Sequence, residues 1–150
     1  MKNLFNKQDV DITIDRINAL TPDTKPAWGK MSVDQMLAHC NVAYEMTYDS
    51  IHPKPSGLKK FFIKLFAKKA VVGPDPYPKN GRTAPQFIVS DQRDFEKEKG
   101  RIIDYLRKTQ GLGADHFEGK ESHSFGPLTS GEWNVMFSKH LDHHLTQFGV

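Results

Sequence analysis

The sequence has a single cysteine and no long apolar run, and we expect no secretory leader; each of these absences excludes a class of protein. Cys40 is the single cysteine among 150 residues, so an intramolecular disulfide is impossible. No apolar stretch approaches the roughly 20 residues that a membrane-spanning helix needs. The segment from Met1 to Phe5 lacks the apolar core of a signal peptide. We therefore expect a cytoplasmic protein, a setting in which thiols stay reduced.

The charge is nearly balanced, and its small excess is local. The chain has 21 basic and 18 acidic residues, which gives a net charge of +3. Five of the lysines lie in one short stretch: Lys59, Lys60, Lys64, Lys68 and Lys69. The rest of the chain has 16 basic residues against 18 acidic ones. Because nucleic-acid-binding proteins carry a broader basic surface, no nucleic acid is expected as a partner.

Length and composition predict one soluble globular domain over residues 1–150. Apolar spacing predicts a first helix from Asn6 to Leu20, although part of this segment also alternates as a strand would. A second helix begins after Ser32, because Gln35 three residues later completes a capping box. We expect this helix to run to about Ser50.

Two further long helices follow in the second half of the chain. One is expected to begin at Ser90 or Asp91 and to end near Gln110, because Gly111 and Gly113 are typical stop signals. The last helix repeats the capping box of the second, with Thr129 as the cap and Glu132 as the residue that completes it. A stripe at three- and four-residue steps then comprises Trp133, Phe137, His140, Leu141, His144 and Phe148.

These elements predict an all-α fold, a four-helix bundle with a short extra basic helix and a long loop between its second and third helices. The extra helix, Leu58 to Ala70, is rich in lysine and aromatic residues, and the loop, Val71 to Pro85, is rich in proline and glycine. The favoured interpretation is that the aromatic residues pack on the bundle while the lysines are solvated, so membrane contact is not expected. Contact with an anionic membrane is the alternative.

His140 and His144 are placed to bind a metal ion. Four residues apart on a helix, their imidazoles lie on one face, one turn apart. His39, on the inward stripe of the second helix, is the best third ligand, and three protein ligands are typical of catalytic zinc. Leu141 stands where zinc proteases carry a catalytic Glu, so protease activity is excluded. The alternative is that the histidines only pack.

Several other residues are candidates for smaller roles. His123 lies in the loop before the last helix and is the candidate catalytic residue, as a general base, or else a surface histidine. Gln147 is placed either to hydrogen-bond a histidine ligand or simply to pack. His143 is expected at the edge of the site or in solvent. The other candidates are expected to have no chemical role. Cys40 is expected to be an inert buried thiol, Tyr44 a core residue, and His52 and His116 surface residues.

Two motifs resemble those of the DinB/YfiT-like superfamily. The segment from His140 to Gln147 resembles its H-x-x-H-H-x-x-Q ending, and the segment from Met31 to His39 resembles its second-helix motif. The context from Trp28 and the Phe125-Gly-Pro-Leu-Thr segment are similar to one branch of that superfamily. The resemblance runs over nearly the whole chain. Leu145-Thr146 departs from the Arg-Gly that the superfamily often carries there.

The resemblance implies an up-down-down-up four-helix bundle with His39, His140 and His144 as ligands of a divalent transition metal, Zn²⁺ or Ni²⁺ above others. Similar proteins often form homodimers. Some transfer low-molecular-weight thiols to electrophiles, which implies a metal-dependent enzyme with a small-molecule substrate, a thiol S-transferase. A non-catalytic module stabilised by its metal, or associated with stress, is the alternative.

Overall fold

Five α-helices account for most of the regular structure. The computed structural model describes residues 1–150 apart from the side chain of Lys59. The helices are α1 (Lys7–Asn18), α2 (Val33–Tyr48), α3 (Gly57–Val72), α4 (Phe95–Phe117) and α5 (Ser130–Gln147). A 3₁₀ turn covers Pro85–Phe87, and two short strands, β1 (Glu121–Ser122) and β2 (Gly126–Pro127), pair antiparallel. The predominantly helical fold is confirmed, whereas the strand pair was not predicted.

Two capping boxes define the starts of α2 and α5, as predicted. At the start of α2, Gln35 Oε1 accepts a hydrogen bond from the backbone N–H of Ser32 at 3.1 Å. At the start of α5, the Thr129 hydroxyl accepts from the backbone N–H of Glu132 at 3.2 Å, and the Glu132 carboxylate accepts from that of Thr129 at 3.0 Å. These bonds satisfy backbone donors that a helix start would otherwise leave unpaired.

Helix α4 begins and ends later than the sequence predicts. Its cap is Asp94, whose carboxylate accepts a hydrogen bond from the backbone N–H of Lys97 at 3.0 Å, and not Ser90 or Asp91. Gly113 interrupts the helix with a φ of 74°, but the chain then returns to helical geometry as far as Phe117. Phe117 is fully buried and packs on Trp133, which holds this last turn in place.

The core lies where α4 packs against α1, α2 and α5. Apolar residues at helical spacing on α1 and α4 are buried, among them Val10, Ile14, Ile17, Phe95, Ile102 and Leu106, whereas Ile103 is half-buried. The largest fully buried side chains include Trp133, Phe137 and Tyr44. No helix among the described residues has both the length and the apolar composition needed to cross a bilayer.

The orientation of α3 contradicts the prediction for the lysine-rich segment. The aromatic residues Phe61, Phe62 and Phe66 were expected to pack on the bundle, but their side chains are exposed, up to 73 % for Phe66, as is that of Leu65. The opposite face packs on the core instead, through small and aliphatic residues that include Ile63, Ala67 and Val71. The periodicity was correct and the buried face was wrong. The prediction also covered Lys59, whose side chain lies outside the described part of the structure.

Candidate metal centre

His39 from α2 and the pair His140 and His144 from α5 meet in the interior. One ring nitrogen from each histidine lies within 4.8 Å of the other two. The ring centroids are 4.6–4.9 Å apart, and His39 Nε2 lies 2.9 Å from His140 Nε2. His39 and His144 are buried, whereas His140 keeps part of its surface exposed. Three buried or half-buried histidines this close together could bind one metal ion.

The backbone of the 3₁₀ turn fixes the orientation of His39. His39 Nδ1 lies 2.7 Å from the carbonyl oxygen of Phe87. Since a carbonyl only accepts, Nδ1 carries the proton and Nε2 keeps its lone pair. The Phe87 ring also packs on the imidazole of His39 and on that of His140. His39 therefore presents Nε2 toward the other two histidines.

Two consecutive hydrogen bonds through Gln147 fix the orientation of His144 in the same way. His144 Nδ1 donates a hydrogen bond to Gln147 Oε1 at 2.8 Å, and Gln147 Nε2 donates to the carbonyl oxygen of Trp28 at 2.6 Å. Of the two roles considered for Gln147, the structure shows the hydrogen bond. Fixing the second nitrogen of a histidine in this way selects the tautomer whose other nitrogen can bind a metal.

Gly29 allows the connector before α2 to approach Gln147 closely. Its φ of 84° lies in the left-handed region, and a Cβ atom built there would lie 2.6 Å from Gln147 Nε2. Any other residue would combine backbone strain with a steric clash. The backbone of the Trp28–Gly29 connector thus belongs to the support of His144.

Burial lowers the pKa of all three histidines. The pKa of His144 falls to about 3, chiefly because its ring is buried and secondly because His39 is near. The pKa of His140 lies well below its usual range for the same reason, with His144 and His39 adding repulsion. Burial also lowers the pKa of His39, and the Phe87 carbonyl opposes part of that shift. The cluster is therefore neutral at pH 7 and presents lone pairs rather than positive charge.

The donor set fits a divalent transition metal. Three nitrogens bound to one tetrahedral zinc ion at 2.0–2.1 Å would lie roughly 3.3 Å from one another, and the observed spacing has this scale. Because His144 Nδ1 donates to Gln147, Nε2 is the nitrogen of this ring that is available to a metal. His39 and His144 would hold a metal ion through Nε2, since their Nδ1 atoms are already hydrogen-bonded, and His140 would supply the third nitrogen.

The cluster lies in the wall of a large cavity. The cavity has a volume of about 810 Å³ and reaches from the three histidines to the inner face of α3 and to the β1–β2 turn. Its wall is mainly apolar, with Met31, Met46, Phe87, Trp133 and Met136 among the lining side chains. A cavity of this size accommodates a small organic molecule beside the histidines.

His123 lies in the wall of the same cavity. The β1–β2 turn holds it, and its side chain is buried. Its Nε2 lies 3.3 Å from the carbonyl oxygen of His52, and its Nδ1 lies 2.8 Å from the Ser124 hydroxyl. Since the carbonyl only accepts, Nε2 holds the proton and Nδ1 accepts from Ser124. Burial lowers the pKa of His123, which keeps that acceptor available at neutral pH.

The remaining candidates lie outside the cluster. His143 lines the cavity next to His144, and His116 is exposed. Cys40 is buried against Met36, and burial raises the pKa of its thiol far above the usual range, so it is an inert thiol. Tyr44 is a core residue stacked on Phe137.

His52 is not the isolated surface residue that the sequence predicts. Its Nε2 lies 2.7 Å from a carboxylate oxygen of Glu45, which is buried and also forms an ion pair with Arg101. Arg101 in turn binds Glu98 at 2.8 Å, so this network joins α2 to α4. Sequence spacing had not identified it, because Glu45 and Arg101 are brought together only by the packing of the two helices.

Comparison with known proteins places the chain in a family. The profile of the family described as "Protein of unknown function (DUF1569)" matches residues 2–149. Neither the curated proteins nor the solved structures gave a match. Because the profile covers nearly the whole sequence, the chain belongs to the DUF1569 family.

Proposed function

We propose that this protein is a metal-dependent enzyme that acts on a small molecule. One observation carries the proposal: three neutral histidines, two of them oriented by hydrogen bonds to their second nitrogens, lie in the wall of a cavity of about 810 Å³. A purely structural metal site is usually closed by four protein ligands. Among the described residues, this cluster offers three, which leaves a position for an exogenous ligand.

The metal we propose is Zn²⁺ or Ni²⁺, since imidazole nitrogen suits both. When bound, such an ion supplies positive charge that lowers the pKa of a coordinated thiol or water. His39, His140 and His144 would hold it. Because the three ligands are neutral, they would leave the charge of the ion undiminished.

The cavity wall favours a neutral or anionic substrate. The wall contains no Asp or Glu among the described residues, and its charged side chains other than histidine are Lys30 and Arg82. An anionic group, such as a thiolate or a carboxylate, would meet no repulsion there. His123 would accept a proton from the substrate at Nδ1. The substrate would either displace the Ser124 hydroxyl from Nδ1 or transfer its proton through that hydroxyl.

The resemblance to the DinB/YfiT-like superfamily supports a more specific version. We propose that α1, α2, α4 and α5 form its up-down-down-up bundle and that the substrate is a low-molecular-weight thiol, transferred to an electrophile. The contacts of α4 with α1, α2 and α5, and of α2 with α5, support the bundle. The position of the histidines on α2 and α5 supports the match of motifs.

The test is a thiol-transfer assay on protein stripped of metal and then reloaded. We would follow the loss of thiol with a panel of alkyl and aryl electrophiles, adding no metal, Zn²⁺ or Ni²⁺. We expect turnover only in the reloaded protein, a large fall in His123→Ala at unchanged metal content, and wild-type turnover in His116→Ala. Equal rates with and without metal across the panel would refute the thiol-transferase version.

The burial of His39 and His144 also supports a second function, a binding module that uses the metal only for stability. Chelation would then lower the melting temperature sharply, and added thiols or azide would leave the spectrum of the cobalt-substituted protein unchanged. A spectral change on adding a small ligand would show an exchangeable position and favour the enzyme.

A further inference from the structure

The outer face of α3 is an unusual apolar surface. Five of the ten exposed large hydrophobic side chains among the described residues lie on this helix: Leu58, Phe61, Phe62, Leu65 and Phe66. Their spacing of three and four residues places them on one face. They are 46–73 % exposed, so the helix does not bury them against its own bundle. Contiguous apolar surface of this kind marks a site of interaction.

The charge of α3 is of one sign. Its sequence contains five lysines and no acidic residue. Lys60 and Lys68 form ion pairs with Glu121 at 2.8 Å and Glu132 at 2.8 Å. Lys64 and Lys69 are exposed, and the described residues place no carboxylate within ion-pair distance of either.

The inner side of α3 is anchored to the protein. The two ion pairs join it to β1 and to α5. Lys139 is buried and donates hydrogen bonds to the carbonyl oxygens of Ala70 at 2.8 Å and Gly73 at 2.6 Å, which holds the end of the helix against α5. The apolar face is therefore presented outward by a helix whose other side is fixed.

We propose that the outer face of α3 docks on an anionic lipid bilayer, with the helix lying in the plane of the interface. Leu58, Phe61, Phe62, Leu65 and Phe66 would enter the boundary between headgroups and acyl chains. Lys69, one turn after Phe66 on the same face, would contact anionic headgroups, and Lys64 would add positive charge at the edge of the helix near the β1–β2 turn. An apolar face flanked by lysines is the pattern of interfacial helices.

Charge distinguishes this partner from a second copy of the chain. Around a two-fold axis, two α3 helices would bring their lysines together, and the helix has no acidic residue to pair with them. An anionic bilayer complements both the apolar face and the charge. Docking would also place the cavity beside the membrane, because Ile63, Ala67 and Val71 on the inner face of α3 line it. The proposal is independent of the metal.

The test is sedimentation of the full chain with phosphatidylcholine vesicles, with and without phosphatidylserine, at low and high salt. We expect binding that requires phosphatidylserine and falls as salt rises. Phe61→Ser/Phe66→Ser and Lys64→Glu/Lys69→Glu should each lower the partition coefficient about tenfold or more. Ile12→Ser/Leu112→Ser, which also removes two exposed apolar side chains but away from α3, should bind as the wild type does.

Because the substituted side chains are exposed, we expect all variants to keep the wild-type circular dichroism and melting temperature. A wild type that fails to sediment with phosphatidylserine vesicles at low salt would overturn the proposal. So would binding that the Phe61→Ser/Phe66→Ser variant retains. A dimer in analytical ultracentrifugation that this variant dissociates, with no vesicle binding by the wild type, would assign the face to a second copy instead.

Discussion

Replacing Gln147 tests whether metal binding depends on the hydrogen bond that orients His144 as well as on the position of the ring. Gln147 is buried and joins the His144 ring to the Trp28 carbonyl through bonds of 2.8 Å and 2.6 Å. In Gln147→Leu, both partners lose their bond inside the protein. Each buried polar group left unpaired costs about 1–3 kcal/mol, so with two such groups we expect the metal-free protein to lose about 2–6 kcal/mol of unfolding free energy.

The same substitution should also weaken metal binding, independently of its effect on the stability of the metal-free protein. Loss of a hydrogen bond to the second nitrogen of a ligand weakens metal binding about 10- to 100-fold. Gln147→Glu keeps an acceptor for His144 but loses the donor to the Trp28 carbonyl. We therefore expect Gln147→Glu to bind metal more tightly than Gln147→Leu while it, too, is less stable than the wild type.

The assays are a competition titration of Zn²⁺ against a chromogenic chelator at neutral pH and urea unfolding of the metal-free protein. Thr146→Ala, at an exposed neighbouring position, is the matched control and should change neither quantity by much. Wild-type Zn²⁺ affinity in a folded Gln147→Leu variant would refute the reasoning, because His144 would then need no external orientation.

Three further predictions concern pH, backbone and charge. Because burial lowers the pKa of the cluster histidines, to about 3 for His144, the unfolded chain takes up protons below pH 6.5 that the native protein does not. The metal-free protein should therefore lose up to about 1.4 kcal/mol per pH unit for each histidine as pH falls from 6.5 to 5, as urea unfolding would measure; a flat profile would contradict this. Gly29→Ala should cost about 1–3 kcal/mol and weaken Zn²⁺ binding, through strain and the clash with Gln147; unchanged stability and affinity would count against that contact. Arg101→Leu should cost about 2 kcal/mol in urea unfolding by leaving the buried Glu45 carboxylate without its main cationic partner, less than for a fully buried pair because Arg101 is partly exposed; a cost near zero would mean that the network is not needed for stability.

The parts of the fold that the sequence predicts well depend on a few adjacent residues. The capping boxes at Ser32 and Thr129 are local patterns of four residues, and both form. The start of α4 was misplaced because several polar residues in its approach are competent caps, and only the bond from Lys97 to Asp94 distinguishes them.

The face of α3 could not be read from periodicity, which gives the spacing of an apolar stripe but not what covers it. Burying the aromatic residues was the reasonable expectation from hydrophobicity, yet the smaller residues Ile63 and Ala67 face the protein. Ile63 and Ala67 line the cavity, and the ion pairs of Lys60 and Lys68 fix the rotation of the helix about its axis.

In the candidate site, too, local spacing predicts some features and not others. Helical spacing places His140 and His144 together, and the inward stripe of α2 adds His39. Spacing also made Gln147 a candidate partner of a histidine, but the two backbone partners could not be predicted, because the Phe87 carbonyl is 48 residues from His39 and the Trp28 carbonyl is 119 residues from Gln147. The sequence carries no side-chain signal for the position of a backbone carbonyl.

The most direct measurement is the metal content of untagged protein by elemental analysis, for the wild type, His140→Ala/His144→Ala and the control His116→Ala. We predict about one equivalent of Zn or Ni in the wild type and the control, and almost none in the double variant. A wild type that is free of transition metal and cannot be reloaded with Zn²⁺ or Ni²⁺ would contradict the proposal, and the three histidines would then serve only to pack α2 against α5.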